Sequence, residues 1–219
     1  MKIDIISDAV CPWCFVGKRR LESALVQRPD IQAEITWHPF QLNPDMPREG
    51  RDRQEYLREK FGTDGSYPER IRSAIGEAGR SVGLEFHFDR MSRIPNTLDC
   101  HRVIHWAGLA GRQDAVVTSL FRRYFLDGED LSNGETLVAA ATEGGLDAAD
   151  IRARLASEED REMVASADEY VRRMGVSGVP TFIFERKYAM SGAQEPAAFL
   201  QVFDRITADA RGGAAAVGA

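Results

Sequence analysis

An alternation of polar and apolar side chains opens the chain at residues 2–5 and predicts a short strand. A helix is predicted from Pro12, where a proline fits the first turn, to about Gln27, just before Pro29. The alternation returns over residues 31–39 and predicts a second strand. The first part of the chain is therefore predicted to be a strand–helix–strand unit.

The middle of the chain, from about residue 50 to 174, has the spacing of helices and almost no strand pattern. Apolar residues recur there at intervals of three and four, which places them on one face of a helix. The stripes comprise Ile71, Ala74, Ile75 and Ala78; Cys100, Val103, Ile104 and Ala107; Val117, Leu120, Phe121 and Tyr124; and Met163, Ala167, Tyr170, Val171 and Met174. We therefore predict an all-helical block.

Strand signals return after Gly175. The β-branched and aromatic run in SGVPTFIFE and the segment YAMSG predict the two strands of a hairpin that turns at Arg186 and Lys187. A last helix is predicted over residues 195–210, and the tail, 211–219, is predicted to be disordered.

The order of these elements predicts an α/β fold in which the two ends of the chain build one domain. Residues 1–45 and 175–210 supply strands for a single sheet with helices on its faces. Residues 46–174 then form a helical insertion into that domain.

Composition narrows the class of protein. The 219 residues are 43% hydrophobic and 28% charged, an ordinary globular composition. The net charge of −6 and the lack of a dense Lys/Arg cluster argue against a nucleic-acid binder. Asp4 and Asp8 interrupt the first apolar run, so no signal peptide is predicted, and no segment has the ~20 apolar residues of a membrane span. We expect a cytoplasmic protein that binds neither nucleic acid nor membrane.

The segment CPWC, residues 11–14, places two of the three cysteines at the predicted helix start. In a reducing cytosol such a pair is typically catalytic, redox-sensing or metal-binding, because structural disulfides are rare there. A helix N-terminus favours a thiolate over a thiol, so Cys11 is the expected nucleophile and Cys14 the expected resolving thiol. Pro12 and an exposed Trp13 are expected to contact the substrate chain.

Two alternatives to a redox pair remain open from the residues alone. The cysteines could be buried and structural, although an exposed helix start is a poor place for inert thiols. They could also form half of a zinc site, to which His101 and His105, on a predicted helix, would add two ligands. No second CxxC exists, and the two histidines are more simply an ordinary surface pair, so we predict no metal.

A proline at the start of the predicted strand in VSGVPTF marks a second candidate feature. Only X–Pro bonds adopt the cis form at modest cost, so the bond between Val179 and Pro180 is a candidate cis peptide. The Val179 backbone could then pair with an extended substrate. The third thiol, Cys100, shares an apolar helix stripe and is expected to pack as a small hydrophobe.

Three segments, MKIDIISDAVCPWCFVGKRR, SGVPTF and YAMSGAQ, resemble the DsbA-like branch of the thioredoxin superfamily. IPNTLDCHRV, residues 94–103, and SGAQ narrow the resemblance to the FrnE-like group of cytosolic dithiol–disulfide oxidoreductases, over about residues 1–205. The resemblance implies a thioredoxin fold with a helical insertion. It also implies that Cys11 is the nucleophile, Cys14 the resolving thiol and Pro180 a cis-proline.

The same resemblance carries expectations about reaction and partners. It implies thiol–disulfide exchange or isomerisation on a disulfide-containing protein or a small molecule, with a cellular thiol as reductant. It implies no bound cofactor, with glutathione as a candidate co-substrate, and a homodimer is a candidate assembly. The group usually has a small residue, often alanine, where this chain has Cys100, which fits the packing role.

A related group gives the main alternative. The 2-hydroxychromene-2-carboxylate isomerases and kappa-class glutathione transferases resemble this chain in fold and share a Pro-Asn-Thr motif like that at residues 95–97. They typically carry serine at the position of Cys11 and activate the thiol of glutathione there. A glutathione-dependent isomerase or transferase would use Asn96 and the Val179 backbone to hold the tripeptide. The retained cysteine pair favours disulfide exchange over that activity. A third alternative, a non-catalytic redox sensor or holdase-like protein, is supported only by Trp13 and the apolar residues near the pair.

Overall fold

The computed structural model describes residues 1–216. Its strands are β1 (Lys2–Ser7), β2 (Glu34–Pro39), β3 (Arg51–Asp52), β4 (Arg93–Ile94), β5 (Thr181–Phe184) and β6 (Tyr188–Ser191). Its α-helices are α1 (Pro12–Val26), α2 (Arg53–Phe61), α3 (Glu69–Ser81), α4 (Leu98–Leu109), α5 (Gln113–Arg122), α6 (Gly134–Glu143), α7 (Ala148–Leu155), α8 (Arg161–Arg173) and α9 (Pro196–Ala216). A short π-helix, Arg123–Asp127, continues α5.

The main sheet has four strands in the order β2-β1-β5-β6. β1 pairs parallel with β2 and antiparallel with β5, and β5 pairs antiparallel with β6. Ile5 lies between Trp37 on β2 and Phe182 on β5, and all three side chains are buried. The predicted strand–helix–strand unit and the predicted hairpin therefore build one sheet from the two ends of the chain.

One apolar core joins the sheet to the helical insertion. Phe15 on α1 stacks on Phe121 of α5 with ring centroids 5.1 Å apart, and Trp37 of β2 meets the same ring edge-on at 6.3 Å. Near β5, Phe182 contacts Phe199 of α9 at 5.0 Å. The insertion thus contributes side chains to the core of the sheet domain.

The structure differs from the predicted elements at three places. β3 and β4 form a two-stranded ribbon inside the segment predicted to be helical, and strands of two residues are too short to show an alternation. The hairpin loop is Glu185–Lys187, so it contains the predicted Arg186 and Lys187 and begins one residue earlier; Glu185 and Arg186 have φ of 50° and 54°. Helix α9 continues to Ala216, so residues 211–216 of the predicted disordered tail are helical, and residues 217–219 lie outside the described part.

Candidate active site

Helix α1 begins at Pro12, and Cys11 is its N-cap residue with an extended backbone. The Cys11 N–H donates to the Asp8 carbonyl at 3.1 Å, and the Cys14 N–H donates to the Cys11 carbonyl at 3.0 Å. These bonds fold the loop after β1 directly into the first turn. They place Cys14 one helical turn after Cys11, as the sequence predicts.

The Cys11 sulfur is enclosed, and only 4% of the residue is exposed. Its thiol donates a hydrogen bond to the Val179 carbonyl at 3.7 Å and makes no capping hydrogen bond with the first turn of α1. The expectation of an exposed helix start is therefore wrong. The reason is tertiary, because the loop before β5 places Val179 against the sulfur and gives the thiol proton an acceptor.

The Cys14 sulfur is buried next to that of Cys11. Burial, followed by the hydrogen bond and charge of Cys11, raises the pKa of the Cys14 thiol well above its ordinary value. Hydrogen bonds from the Ser7 side chain and the Asp8 backbone oppose this rise in the pKa. Cys14 is therefore a thiol at neutral pH, which suits a resolving residue better than an attacking one.

Burial of both thiols is also what inert structural cysteines show, so burial alone does not distinguish the two interpretations. A carbonyl faces Cys11, and a hydroxyl and a backbone amide face Cys14. Cys100 is buried in the same apolar cluster, and burial followed by the charge of Asp8 raises the pKa of its thiol well above the ordinary value. The polar contacts of Cys11 and Cys14 are compatible with a redox pair.

Asp8, which sequence reasoning did not assign to the site, shapes the loop before α1. Its side chain is fully buried, and Oδ2 accepts the Leu42 N–H at 2.7 Å. Oδ1 has no hydrogen-bond partner among the described residues and lies 3.6 Å from Nε2 of His101. The same Nε2 atom lies 3.2 Å from the Phe40 carbonyl oxygen. The sequence signal that could have identified Asp8 is its position in the segment SDAVC, where a charged residue directly follows an apolar strand.

The histidine pair is not at the surface as predicted. His101 is buried and His105 is partly buried, because α4 packs against β2, α5, α6 and α8 and keeps little exposed surface. Within residues 1–216 no group of three His, Cys, Asp or Glu side chains is placed to hold a metal ion. No helix of that same part is long and apolar enough to cross a bilayer.

Four predicted substrate-binding residues adjoin the pair in sequence or space. The peptide bond between Val179 and Pro180 is cis, as predicted. Pro180 is buried and Val179 partly buried beside the Cys11 thiol. Pro12 is buried at the start of α1, and Trp13 is partly buried against the core, so the prediction of a fully exposed Trp13 is wrong.

The fifth predicted binding residue, Asn96, lies in the insertion between β4 and α4. Its Nδ2 donates to the Met46 carbonyl at 2.6 Å. Its Oδ1 accepts the Leu98 N–H at 2.9 Å and Nε2 of Gln41 at 3.4 Å. The amide that a glutathione site would use is thus engaged in holding the loop after β2.

Two side chains of the insertion, Arg53 and Tyr67, were missed by sequence reasoning. Burial raises the pKa of Tyr67, the charge of Arg53 and a hydrogen bond with it lower this pKa, and the charge of Cys11 raises it. The central guanidinium carbon of Arg53 lies 5.3 Å from the ring centroid of Tyr67. Arg53 begins α2, which has the charged composition of a solvated helix, and Tyr67 lies in the loop after α2, so neither residue carries a sequence signal.

The family of the chain follows from comparison with known proteins. A model of the DSBA-like thioredoxin domain matches residues 2–204. The chain belongs to this family. It is similar to the probable DsbA oxidoreductase SCO1869 from Streptomyces coelicolor, with 31% identity, a TM-score of 0.83 and coverage of 94% of this chain and 89% of the other. The predicted thioredoxin fold with a helical insertion is confirmed.

Two further solved structures share the fold at lower identity. The cytosolic disulfide reductase DsbM from Pseudomonas aeruginosa, solved with GSH, is 20% identical with a TM-score of 0.66, over 94% of this chain and all (100%) of that one. A 2-hydroxychromene-2-carboxylate isomerase is 16% identical with a TM-score of 0.68, over 98% of both chains. At these identities the likeness concerns the fold.

Proposed function

We propose that this DSBA-like protein is a thiol–disulfide oxidoreductase or isomerase of the FrnE-like group. Cys11 attacks a disulfide and Cys14 resolves the mixed disulfide. One observation carries the proposal: a thiol at the N-cap of α1 has a second thiol one turn behind it, and the second is buried and held protonated. A helix N-terminus stabilises a thiolate at the first position, and burial disfavours one at the second.

The exchange proceeds in two displacement steps. The Cys11 thiolate attacks one sulfur of the substrate disulfide, a new S–S bond forms, and the other sulfur leaves as a thiolate that takes a proton. Cys14 then gives up its proton and attacks the Cys11 sulfur, which releases the remaining substrate thiolate. The substrate gains two electrons and the Cys11–Cys14 pair loses them. A cellular thiol returns the pair to its reduced form by the reverse steps.

The Val179 carbonyl links ionisation of Cys11 to substrate binding. In the thiol form this carbonyl accepts the Cys11 S–H. Loss of the proton frees the carbonyl, which then accepts an N–H from an extended substrate segment lying beside the sulfur. Formation of the nucleophile thus coincides with exposure of a backbone acceptor for the substrate.

Further parts of the proposal concern location and partners. We place the protein in the cytoplasm, with disulfide-containing proteins or small molecules as substrates and glutathione as the reducing thiol. The family and the similarity to SCO1869 support disulfide chemistry, and DsbM is a cytosolic protein of the same fold. A homodimer stays a prediction.

A disulfide-reduction assay tests the proposal. Cys11→Ser is expected to abolish reduction of insulin disulfides driven by dithiothreitol, because the attacking sulfur is gone. Cys100→Ala serves as the matched control and should keep nearly all activity, since Cys100 lies among apolar side chains of α4. Wild-type rates in Cys11→Ser would contradict the assignment. Glutathione-dependent isomerase turnover by that variant would support the isomerase and transferase group instead.

A further inference from the structure

Arg53, the first residue of α2, is a buried cation with no anion beside it. The residue is 6% exposed, and it forms no ion pair with any carboxylate in residues 1–216. Its Nε has no hydrogen-bond partner there, whereas its backbone N–H donates to the Ser92 carbonyl at 2.9 Å. Buried charges in proteins are normally paired or bind a ligand. A buried guanidinium without a carboxylate partner is therefore a candidate binding group for an anionic ligand.

Two aromatic rings hold the Arg53 guanidinium in place. Its central carbon lies 5.3 Å from the ring centroid of Tyr67 and 5.7 Å from that of Phe88, and these two rings meet edge-on at 5.6 Å. Contacts with ring faces orient the guanidinium plane but provide few hydrogen-bond acceptors. The guanidinium also hydrogen-bonds the Tyr67 side chain, which leaves Nε as the group without a partner among the described residues.

The same rings connect Arg53 to the start of α1. Phe88 lies 5.5 Å from Phe86, and Phe86 lies 6.3 Å from Phe15, which directly follows Cys14. Tyr67 is partly buried and responds to both Arg53 and the charge of Cys11. Arg53 therefore contacts Tyr67, the residue of the insertion on which the charge of Cys11 acts.

We propose that Arg53 and the Tyr67 hydroxyl form a carboxylate-binding subsite for a low-molecular-weight thiol or disulfide of the glutathione type, whose sulfur reacts at Cys11. The inference rests on the proposed function and names its substrate class. The planar fork of arginine matches the two oxygens of a carboxylate. Because burial raises the pKa of Tyr67, its hydroxyl keeps the proton that it donates.

The chemistry at this subsite is the first exchange step alone. The Cys11 thiolate attacks oxidised glutathione, an S–S bond forms between Cys11 and one glutathione, and the other leaves as a thiolate that takes a proton. The carboxylate on Arg53 holds the disulfide in line with Cys11 and adds no redox step.

The experiment isolates that step in a Cys14→Ser background, which stops the reaction at the mixed disulfide. Rates of mixed-disulfide formation are measured by mass spectrometry with oxidised glutathione and with cystamine, which has no carboxylate. Arg53→Met is expected to lower the ratio of the two rate constants by about 10- to 100-fold, the effect of losing one or two charge-assisted hydrogen bonds. Arg53→Lys should restore part of the ratio. Arg58→Met, on the exposed surface of α2, is the matched control and should keep the ratio.

A second measurement needs no change at Arg53. The tetraethyl ester of oxidised glutathione, in which all four carboxylates are blocked, is expected to react with the Cys14→Ser protein about tenfold or more slowly than oxidised glutathione itself. An unchanged ratio in Arg53→Met, or equal rates for acid and ester, overturns the subsite while leaving the proposed function intact. Failure of every disulfide to modify Cys11 overturns the proposed function and the subsite with it.

Discussion

At the scale of residues, Cys11 and Cys14 lie one helical turn apart and differ in what surrounds their sulfurs. Cys11 faces the Val179 carbonyl, whereas Cys14 is enclosed by the core with Ser7 and Asp8 as its polar neighbours. The raised pKa of Cys14 follows from burial first and from Cys11 second. The difference between the two thiols is therefore a property of the folded loop and cannot be inferred from their spacing.

Alkylation of Cys14 is predicted to depend steeply on pH. In a Cys11→Ser, Cys100→Ala background, Cys14 is the single thiol, and burial still raises its pKa. Below its pKa the thiolate fraction rises tenfold for each pH unit, so the iodoacetamide rate should rise about tenfold per unit between about pH 7 and 9 without a plateau. Peptide mass spectrometry measures the rate.

Ser7→Ala in the same background is the companion variant for that experiment. It removes a hydrogen bond that lowers the pKa of Cys14, so labelling should become slower at each pH. A plateau in the Cys14 rate below about pH 8.5 would show a thiol near its ordinary pKa and contradict the structure.

The residues of the site were partly predictable from the sequence. Cys11, Cys14 and Pro180 belong to short motifs whose spacing is local, so the sequence identifies them. Arg53 and Tyr67 come from the insertion, and tertiary packing alone brings Tyr67 within reach of the charge of Cys11. Local pattern cannot show which side chains a distant segment places over a site, which is also why the burial of Cys11 was not predicted.

At the scale of elements, the alternation of side chains predicts the long strands well. β1 shows it over Lys2–Ile5, although its last three residues, Ile5–Ser7, are all buried, and β2 shows it around the buried Trp37. The ribbon of β3 and β4 has two residues per strand and shows no period. The hairpin loop includes Glu185 in addition to the predicted Arg186 and Lys187, and Glu185 and Arg186 adopt positive φ, which sequence rules assign first to Gly, Asn or Asp.

Close packing of α1 against β5 depends on Gly17. A Cβ at this position would lie 3.1 Å from the Phe182 ring and 3.1 Å from Cγ of Pro180. Gly17→Val is therefore expected to lower the free energy of unfolding by about 1–3 kcal/mol, the usual cost of overpacking. Urea denaturation followed by circular dichroism measures it.

The control for this prediction is Gly134→Val in α6, where an added Cβ has no heavy atom within 4 Å. Valine has a better helix propensity than glycine, so this variant should be as stable as the wild type or slightly more stable. Equal stability of both variants would mean that α1 and β5 have more room than the structure shows.

At the scale of the whole molecule, the insertion and the sheet share one core. The ring of Phe121 on α5 contacts both Phe15 of α1 and Trp37 of β2. The sequence predicts an insertion, because helical spacing separates two strand-rich ends, yet it does not show that both parts bury the same aromatic cluster. Because apolar burial is the main favourable term in folding, the two parts are expected to unfold together.

Arg102 ties the helices of the insertion to each other from inside that core. The residue is fully buried on α4, and its guanidinium donates to the carbonyls of Glu159, Arg154 and Ser157 at 2.8–2.9 Å. It also donates to Oδ1 of Asp99 at 2.8 Å. These bonds satisfy carbonyls at the end of α7 and in the loop before α8, where the Ser157 hydroxyl also donates to the Arg154 carbonyl at 2.8 Å.

Replacing Arg102 by methionine fills similar volume but removes the side-chain donor of the Glu159 and Ser157 carbonyls, while Asp99 keeps its hydrogen bond from Arg161. Breaking a buried charged network typically costs about 3–5 kcal/mol, so Arg102→Met should lower the free energy of unfolding by that order. Arg173→Met removes an exposed ion pair with Glu169 and should cost about 1 kcal/mol or less.

If the core is shared, the urea midpoint from circular dichroism and the midpoint for exposure of Cys14 to alkylation should fall together in Arg102→Met. A fall in the first midpoint alone would mean that the insertion unfolds independently and that the cysteine site does not depend on it for stability.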